Sequence, residues 1–151
     1  DEPLAKELAR AIMSAKRKKQ PIETTSQLRE IVEQVVLRTK PENPKEAVKK
    51  TCQREFQALR IDVNSEFEVL DSFLEALPHI LKPGGKAAIL TFHSGEDRMV
   101  KKSFQYYARE GIYSDIAKDV IRPSAKECAS NPRARSTKFR WAVRSDVQKY
   151  E

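Results

Sequence analysis

The stretch LKPGGKAAILTFHSGEDR, from Leu81 to Arg98, decides how this chain is read. Leu81, Lys82 and Pro83 close a helix, and Gly84 and Gly85 supply the backbone freedom of a sharp turn. Ala87, Ala88, Ile89, Leu90 and Phe92 then form a short apolar run, the pattern of a strand covered on both faces. His93, Ser94, Glu96, Asp97 and Arg98 follow at once, where the strand's carboxyl end should open. Ligands of open α/β sheets sit just outside the carboxyl ends of strands. The stretch therefore predicts an α/β fold with a polar site at its strand end.

Working outward, helical spacing dominates the chain upstream. Leu4, Leu8, Ala11, Ile12 and Ala15 predict a helix from Pro3 to about Lys18, with Pro3 at a first helical position. Pro21 breaks it, and Thr25 is the expected N-cap of a second helix buried through Leu28, Ile31, Val32, Val35 and Val36. Residues 38–46 read as a linker. A third helix is predicted from Ala47 to about Val63, carrying Phe56, Leu59 and Val63. Ser65 and Glu68 suggest a capping box for a fourth, whose face is Phe67, Leu70, Phe73, Leu74, Leu77 and Leu81. Downstream, a helix over 96–109 buries Val100, Phe104 and Tyr107, with Glu96 or Asp97 as its N-cap. Strands are predicted over 117–122 and 137–143, the second alternating through Phe139, Trp141 and Val143. Four helices followed by strand, helix, strand, strand make a poor complete sheet. The expectation is the carboxyl-terminal part of a larger α/β enzyme. Its strand from Lys86 to Phe92 would then expose an unpaired edge, so self-association is expected of the chain alone.

Composition narrows the class. With 39% hydrophobic and 34% charged residues, the chain is a polar globular protein, and no apolar run nears a membrane span of roughly 20 residues. No membrane partner is expected. Cys52 and Cys128 stand apart from any CxxC or His-rich company, so a structural metal site is not expected. The net charge of +7 points to an anionic partner. Lys16, Arg17, Lys18 and Lys19 form one basic cluster, Lys45, Lys49, Lys50 and Arg54 another, and Lys101 and Lys102 a third. Arg133, Arg135, Lys138, Arg140 and Arg144 form the densest, flanking Asn131, Pro132 and Ser136. Solvated helix faces are the alternative for the first two, whereas the last has the look of a phosphate-positioning segment.

Three segments carry a family resemblance: FQALRIDVNSE (56–66), LKPGGKAAILTFHSGEDRMVK (81–101) and NPRARSTKFRWAVR (131–144). Together, in this order, they resemble the RsmH/MraW family, S-adenosylmethionine-dependent methyltransferases acting on cytosine N4 of small-subunit ribosomal RNA. The resemblance implies the carboxyl-terminal part of a Rossmann-like class I methyltransferase core plus a helical insertion. The insertion would occupy residues 1–60 and the core part, strand–helix–strand–strand, residues 61–151. It also implies small-subunit ribosomal RNA as partner and S-adenosylmethionine as cofactor. The family's glycine-rich cofactor loop would lie upstream of Asp1, since the four glycines here form no GxGxxG-like arrangement. No residue of this chain is assigned to the cofactor. Departures from the family pattern are Gly95, where Leu is usual, and Thr51, Cys52, Gln53 and Arg54 where an HPATR-like segment is common. They suggest a plant or organelle member; the compartment would be plastid or mitochondrion in a eukaryote, the cytoplasm in a bacterium.

Methylating an exocyclic amine needs the base held with its nitrogen towards the methyl donor and an acceptor for the N–H. The base must also leave its stack. No [DN]PP[YF] tetrapeptide is present to do this. His93, Ser94 and Glu96 are the candidates for orienting the base; the alternative for His93 is a structural hydrogen bond at the strand end. Arg98 could contact RNA or pair with a carboxylate across the turn. Gln57 and Arg60 share a helix face, and the resemblance implies that they line a cleft towards the core. With Asn131, Arg133, Arg135 and Lys138 they complete the expected RNA-binding set. A non-catalytic RNA- or ribosome-binding module is the competing reading.

Overall fold

The computed structural model describes residues 2–146 and separates the chain into two compact units, Asp1–Asn64 and Ser65–Glu151. The boundary falls four residues beyond the expected one, because the third helix runs unbroken through residue 60.

Three helices build the first unit: α1 (Ala5–Arg17), α2 (Thr25–Arg38) and α3 (Pro44–Val63). Leu8, Val32, Val35, Val36 and Val48 form its core, with Leu4, Ala11, Ala47 and Cys52 packed against them. Each such aliphatic side chain contributes about 1.5–3 kcal/mol on full burial. The first helix starts later than expected, since Leu4 is its N-cap and its N–H donates to Glu2 Oε1 at 3.0 Å. Thr24, not Thr25, caps α2: its Oγ1 accepts the Gln27 N–H while Gln27 Oε1 accepts the Thr24 N–H, a complete capping box. The linker shrinks to residues 39–43, because Asn43 caps α3 and Pro44 takes its first position. The expected stripe of α3 is corrected too. Val48 and Thr51 are its buried residues, while Leu59 and Val63 are exposed.

The second unit holds α4 (Glu66–Ile80), β1 (Lys86–Thr91), α5 (Ser94–Arg109), β2 (Tyr113–Ile116), α6 (Ala125–Ser130), a short 3-10 helix (Pro132–Ser136) and β3 (Lys138–Arg144). Its sheet has the order β1–β3–β2, antiparallel throughout, with Ala87 opposite Ala142 and Leu90 opposite Phe139. Leu74, Leu77, Ala87, Val100, Phe104, Tyr113 and Ala142 form the core between this sheet and α4 and α5. No described strand pairs with the other edge of β1.

Several expectations fail here for physical reasons. Burial in β1 alternates: Ala87 and Thr91 are buried, whereas Leu90 and the following Phe92 are 56% and 57% exposed. Among the described residues only one face of that strand is covered. Ser65 makes no side-chain cap to α4; it sits at φ 49 directly after α3. The predicted strand over 117–122 is replaced by β2 four residues earlier, and only Ile121 bridges to Phe139. The phase of β3 is inverted. Arg140, Ala142 and Arg144 are its buried residues, while Phe139, Trp141 and Val143 are half-buried. Arginines can face inward there because each finds acceptors. Arg144 Nε donates to Pro78 O at 3.0 Å and its Nη1 to Ile112 O at 3.3 Å.

A strand-end histidine cluster as the candidate functional site

The carboxyl end of β1 runs straight into α5, and His93 is the residue between them. His93, rather than Glu96 or Asp97, is the N-cap: its Nδ1 accepts the Glu96 N–H at 3.4 Å. Glu96 reaches back, its Oε2 accepting the Phe92 N–H at 3.2 Å. Two amide donors of the helix entry are thus satisfied by side chains three and four residues apart. Asp97 is held from β3, with Arg140 Nε on Oδ1 at 2.8 Å and Nη2 on Oδ2 at 3.2 Å. This fork-to-fork pair, not the expected link to Arg98, fixes the first turn of α5.

The cap decides the tautomer of His93. With Nδ1 accepting, the proton of the neutral ring sits on Nε2. That atom is buried and makes no hydrogen bond, although Glu96 Oε1 approaches it at 3.3 Å. Glu66, in the first turn of α4, joins the group: donor atoms of Glu66, His93 and Glu96 lie within 4.8 Å of one another. Such spacing suits a cation, but two features oppose a metal. Both carboxylates stand at helix N-termini, whose dipoles already favour anions, and Nε2 would have to surrender its proton to coordinate. The arrangement is a buried N–H beside two half-buried carboxylates at the strand end.

A ring and a missing side chain hold the imidazole. Phe67 packs edge-on to His93, with ring centroids 5.7 Å apart and planes at 73°. A Cβ on Gly95 would stand 2.9 Å from Phe67 Cζ and 3.2 Å from His93 Nδ1. Glycine at position 95 therefore makes room for Phe67.

The other expected residues are dispersed. Ser94 is exposed at the first position of α5, and Arg98 is exposed one turn on. Gln57 and Arg60 belong to α3 of the first unit, half-buried and exposed respectively. Asn131 caps the 3-10 helix, its Oδ1 accepting the Arg133 N–H at 3.2 Å. Arg133 and Arg135 project from that helix into solvent, and Lys138 follows half-buried. Arg122 joins them, its Nη2 donating to Arg135 O at 2.9 Å. Arg140 and Arg144 leave the basic cluster, being internal. Glu66, Phe67 and Arg122 were not among the expected site residues, Phe67 being read only as part of a core stripe; contacts across distant segments reveal them.

Residues 1–145 of this chain match the MraW methylase family, and the chain belongs to it. Among curated relatives, the ribosomal RNA small subunit methyltransferase H 1 of Lachnoclostridium phytofermentans is 60% identical over 96% of this chain and 40% of its own length. Its namesake from Agathobacter rectalis is 62% identical over 97% of the chain and 42% of its own length. The ribosomal RNA small subunit methyltransferase H of Elusimicrobium minutum is 42% identical over 94% and 46%. The chain thus spans less than half the length of these relatives. All three are bacterial, and nothing in them supports a plant or organelle member. Among the described residues no helix is long and apolar enough to cross a membrane.

Proposed function

We propose that this chain is part of an S-adenosylmethionine-dependent methyltransferase that modifies the N4 amine of a cytosine in small-subunit ribosomal RNA, in the bacterial cytoplasm. The observation that carries this reading is 60% identity over 96% of the chain to a relative named for that RNA. In it, the second unit is the carboxyl-terminal part of a Rossmann-like core and the first unit the helical insertion. The cofactor would supply the methyl group, and the described glycines form no cradle for it. Gly84 and Gly111 sit at positive φ in turns with open space around them, and Gly95 faces Phe67.

What the chain contributes is base placement and RNA grip. A Glu96 or Glu66 oxygen accepts an amine hydrogen and orients the nitrogen lone pair, while the buried His93, capping α5 with its Nε2 3.3 Å from Glu96 Oε1, positions Glu96 for that contact. Arg133, Arg135, Lys138 and the Lys16–Lys19 cluster hold backbone phosphates. Ser94 and Arg98, exposed beside the strand end, are placed to touch the flanking nucleotides, and Gln57, Arg60 and Asn131 complete the RNA-contacting set. The alternative for the isolated chain is an RNA-binding module without catalysis.

The test uses the full-length protein that contains this chain. Labelled methyl transfer to small-subunit RNA, followed by nucleoside analysis, should yield N4-methylcytidine. His93→Asn, which keeps a good N-cap, should leave melting within about 1 kcal/mol of wild type while cutting the rate about 10²-fold or more. A methyl group on another atom, or an unimpaired His93→Asn enzyme, would overturn the assignment.

A further inference from the structure

Helix α4 begins without a cap of its own. Ser65, its N-cap residue, makes no side-chain hydrogen bond to the helix and stands in the left-handed region at φ 49. Serine there supplies neither the usual hydroxyl cap nor the backbone freedom of glycine. The first turn of α4 is therefore anchored by side chains that reach other elements, and Phe67 reaches α5. Its ring lies edge-on to His93, with centroids 5.7 Å apart and planes at 73°. Its Cζ and Cε1 point at Gly95, where they would stand 2.9 and 3.2 Å from an added Cβ. The backbone of Gly95 does not call for glycine, since its φ is not positive as those of Gly84 and Gly111 are. Alanine would favour the helix more at that place. What glycine adds is a notch for the ring.

The notch has two consequences for the strand end. Phe67 and Glu66 are chain neighbours on one helix turn, so whatever seats the ring also places the carboxylate. With the ring seated, a Glu66 oxygen lies within 4.8 Å of ligand atoms of His93 and Glu96. The same ring packs on the imidazole whose Nδ1 accepts the Glu96 N–H at 3.4 Å. Turning that imidazole over would put a carbon where Nδ1 now accepts, and the cap of α5 would be lost. A left-handed serine and a mid-helix glycine, both kept against local preference, flank this one contact; such departures cluster where a site needs them.

We propose that Phe67 and Gly95 are a positioning pair for the strand-end site. The ring in its notch fixes the plane of His93 and the place of Glu66, and so sets both carboxylates around the reacting amine. This rests on the reading of the chain as part of a methyltransferase acting on a cytosine amine. Phe67 and Gly95 act through His93, Glu96 and Glu66 and do not themselves touch the base. Placement of this kind governs rate, because an error of about 1 Å can cost about 10²-fold.

The experiment compares Gly95→Ala, Phe67→Leu and the double variant. In the full-length protein it reads kcat and KM for methyl transfer to small-subunit RNA. In the 151-residue chain it reads the ring-nitrogen chemical shifts of the two histidines, His79 and His93. Gly95→Ala should cut kcat about tenfold or more at unchanged KM, because the pair orders the site and does not grip the RNA. Phe67→Leu should cut kcat several-fold. The double variant should be no slower than Phe67→Leu alone, since leucine has no atoms where the new Cβ stands. His93 should show the Nε2–H tautomer in the wild type and a mixture in Gly95→Ala. A Gly95→Ala enzyme with wild-type kcat, or losses that multiply in the double variant, would overturn the proposal. So would His93 shifts unchanged in both single variants. Should Gly95→Ala not fold, the double variant against Phe67→Leu still carries the comparison. A wild-type enzyme that transfers no methyl group sinks the function and this proposal together, whereas normal transfer with unimpaired variants sinks this proposal alone.

Discussion

The pair between Arg140 and Asp97 offers a sharp test of how the strand-end site is held. Both groups are internal, with side chains 8% and 15% exposed, and both guanidinium–carboxylate contacts fall within 3.2 Å. Removing the cation by Arg140→Met leaves an unpaired carboxylate in a dry setting, which costs about 3–5 kcal/mol. For a unit of this size, each kcal/mol shifts the midpoint by roughly 4–8 °C, so a fall on the order of 12 °C or more is expected. Removing both charges by Arg140→Met with Asp97→Leu restores most of the loss, since an apolar pair of similar volume is about neutral or better. Trp141 is the chain's one tryptophan and neighbours Arg140 on β3, so its fluorescence in urea reports this unit. The cycle should return a coupling of several kcal/mol at constant m-value. A loss below about 1 kcal/mol for the single variant would mean the pair behaves as a solvated surface bridge, and the argument that it anchors α5 would fall.

Three further outcomes follow from other residues. Tyr113 buries a hydroxyl without a partner, and burial, with help from Tyr107 and against Arg144, pushes its pKa up to about 12; Tyr113→Phe should be neutral or stabilise by up to about 1 kcal/mol, and a clear loss in thermal melts would reveal a hydrogen bond. Glu55 is raised by burial first and then by Glu2, against Arg54. A carboxyl raised in the folded state opposes folding once pH exceeds its unfolded value, so Glu55→Gln should raise the midpoint at pH 7 and change nothing near pH 3; the same gain at both would refute the electrostatic origin. With β1 pairing only to β3 among the described residues, and Leu90 and Phe92 exposed, the chain alone should self-associate at low micromolar concentration; a clean monomer by sedimentation would show the edge is protected.

Period and punctuation made most of the architecture legible. Four helices, the PGG turn and β1 follow from Leu8, Val32, Leu74, Leu77 and the glycine pair at 84–85, because burial of a stripe dominates their energetics. Short elements escaped. The signal for α6 was present, with Ser124 capping through Glu127 N–H at 3.1 Å, but six residues give too little periodicity to weigh. The phase of β3 was misread because apolar alternation favoured Phe139, Trp141 and Val143. The inward arginines depend on Asp97, Pro78 and Ile112, partners that only the fold brings near. His93 and Glu96 were visible as a polar break at a strand end. Glu66 and Phe67 were not, since nothing in a helix start announces contact with a residue 27 or 26 positions on.

The placing of unmet polar groups supports the strand end as the working site. Among the described residues, three buried side-chain atoms have no hydrogen bond: Thr91 Oγ1, His93 Nε2 and Tyr113 Oη. Two of the three lie two residues apart, at the end of β1. Each such group costs about 1–3 kcal/mol in desolvation, and folds shed such costs unless a ligand supplies the partner. Around them, the first turn of α5 is otherwise fully engaged, through His93 Nδ1, Glu96 Oε2 and Asp97. Either these two groups serve the bound RNA, or they are packing groups, with His93 Nε2 left 3.3 Å from Glu96 Oε1. Thr91→Val separates the two interpretations. It keeps a β-branched shape suited to a strand and removes the orphan hydroxyl, so the chain should gain about 1 kcal/mol. If the hydroxyl serves the bound base, the same change should slow methyl transfer by the full-length enzyme. A variant that is both more stable and fully active would make Thr91 a packing residue and leave His93 to carry the site alone.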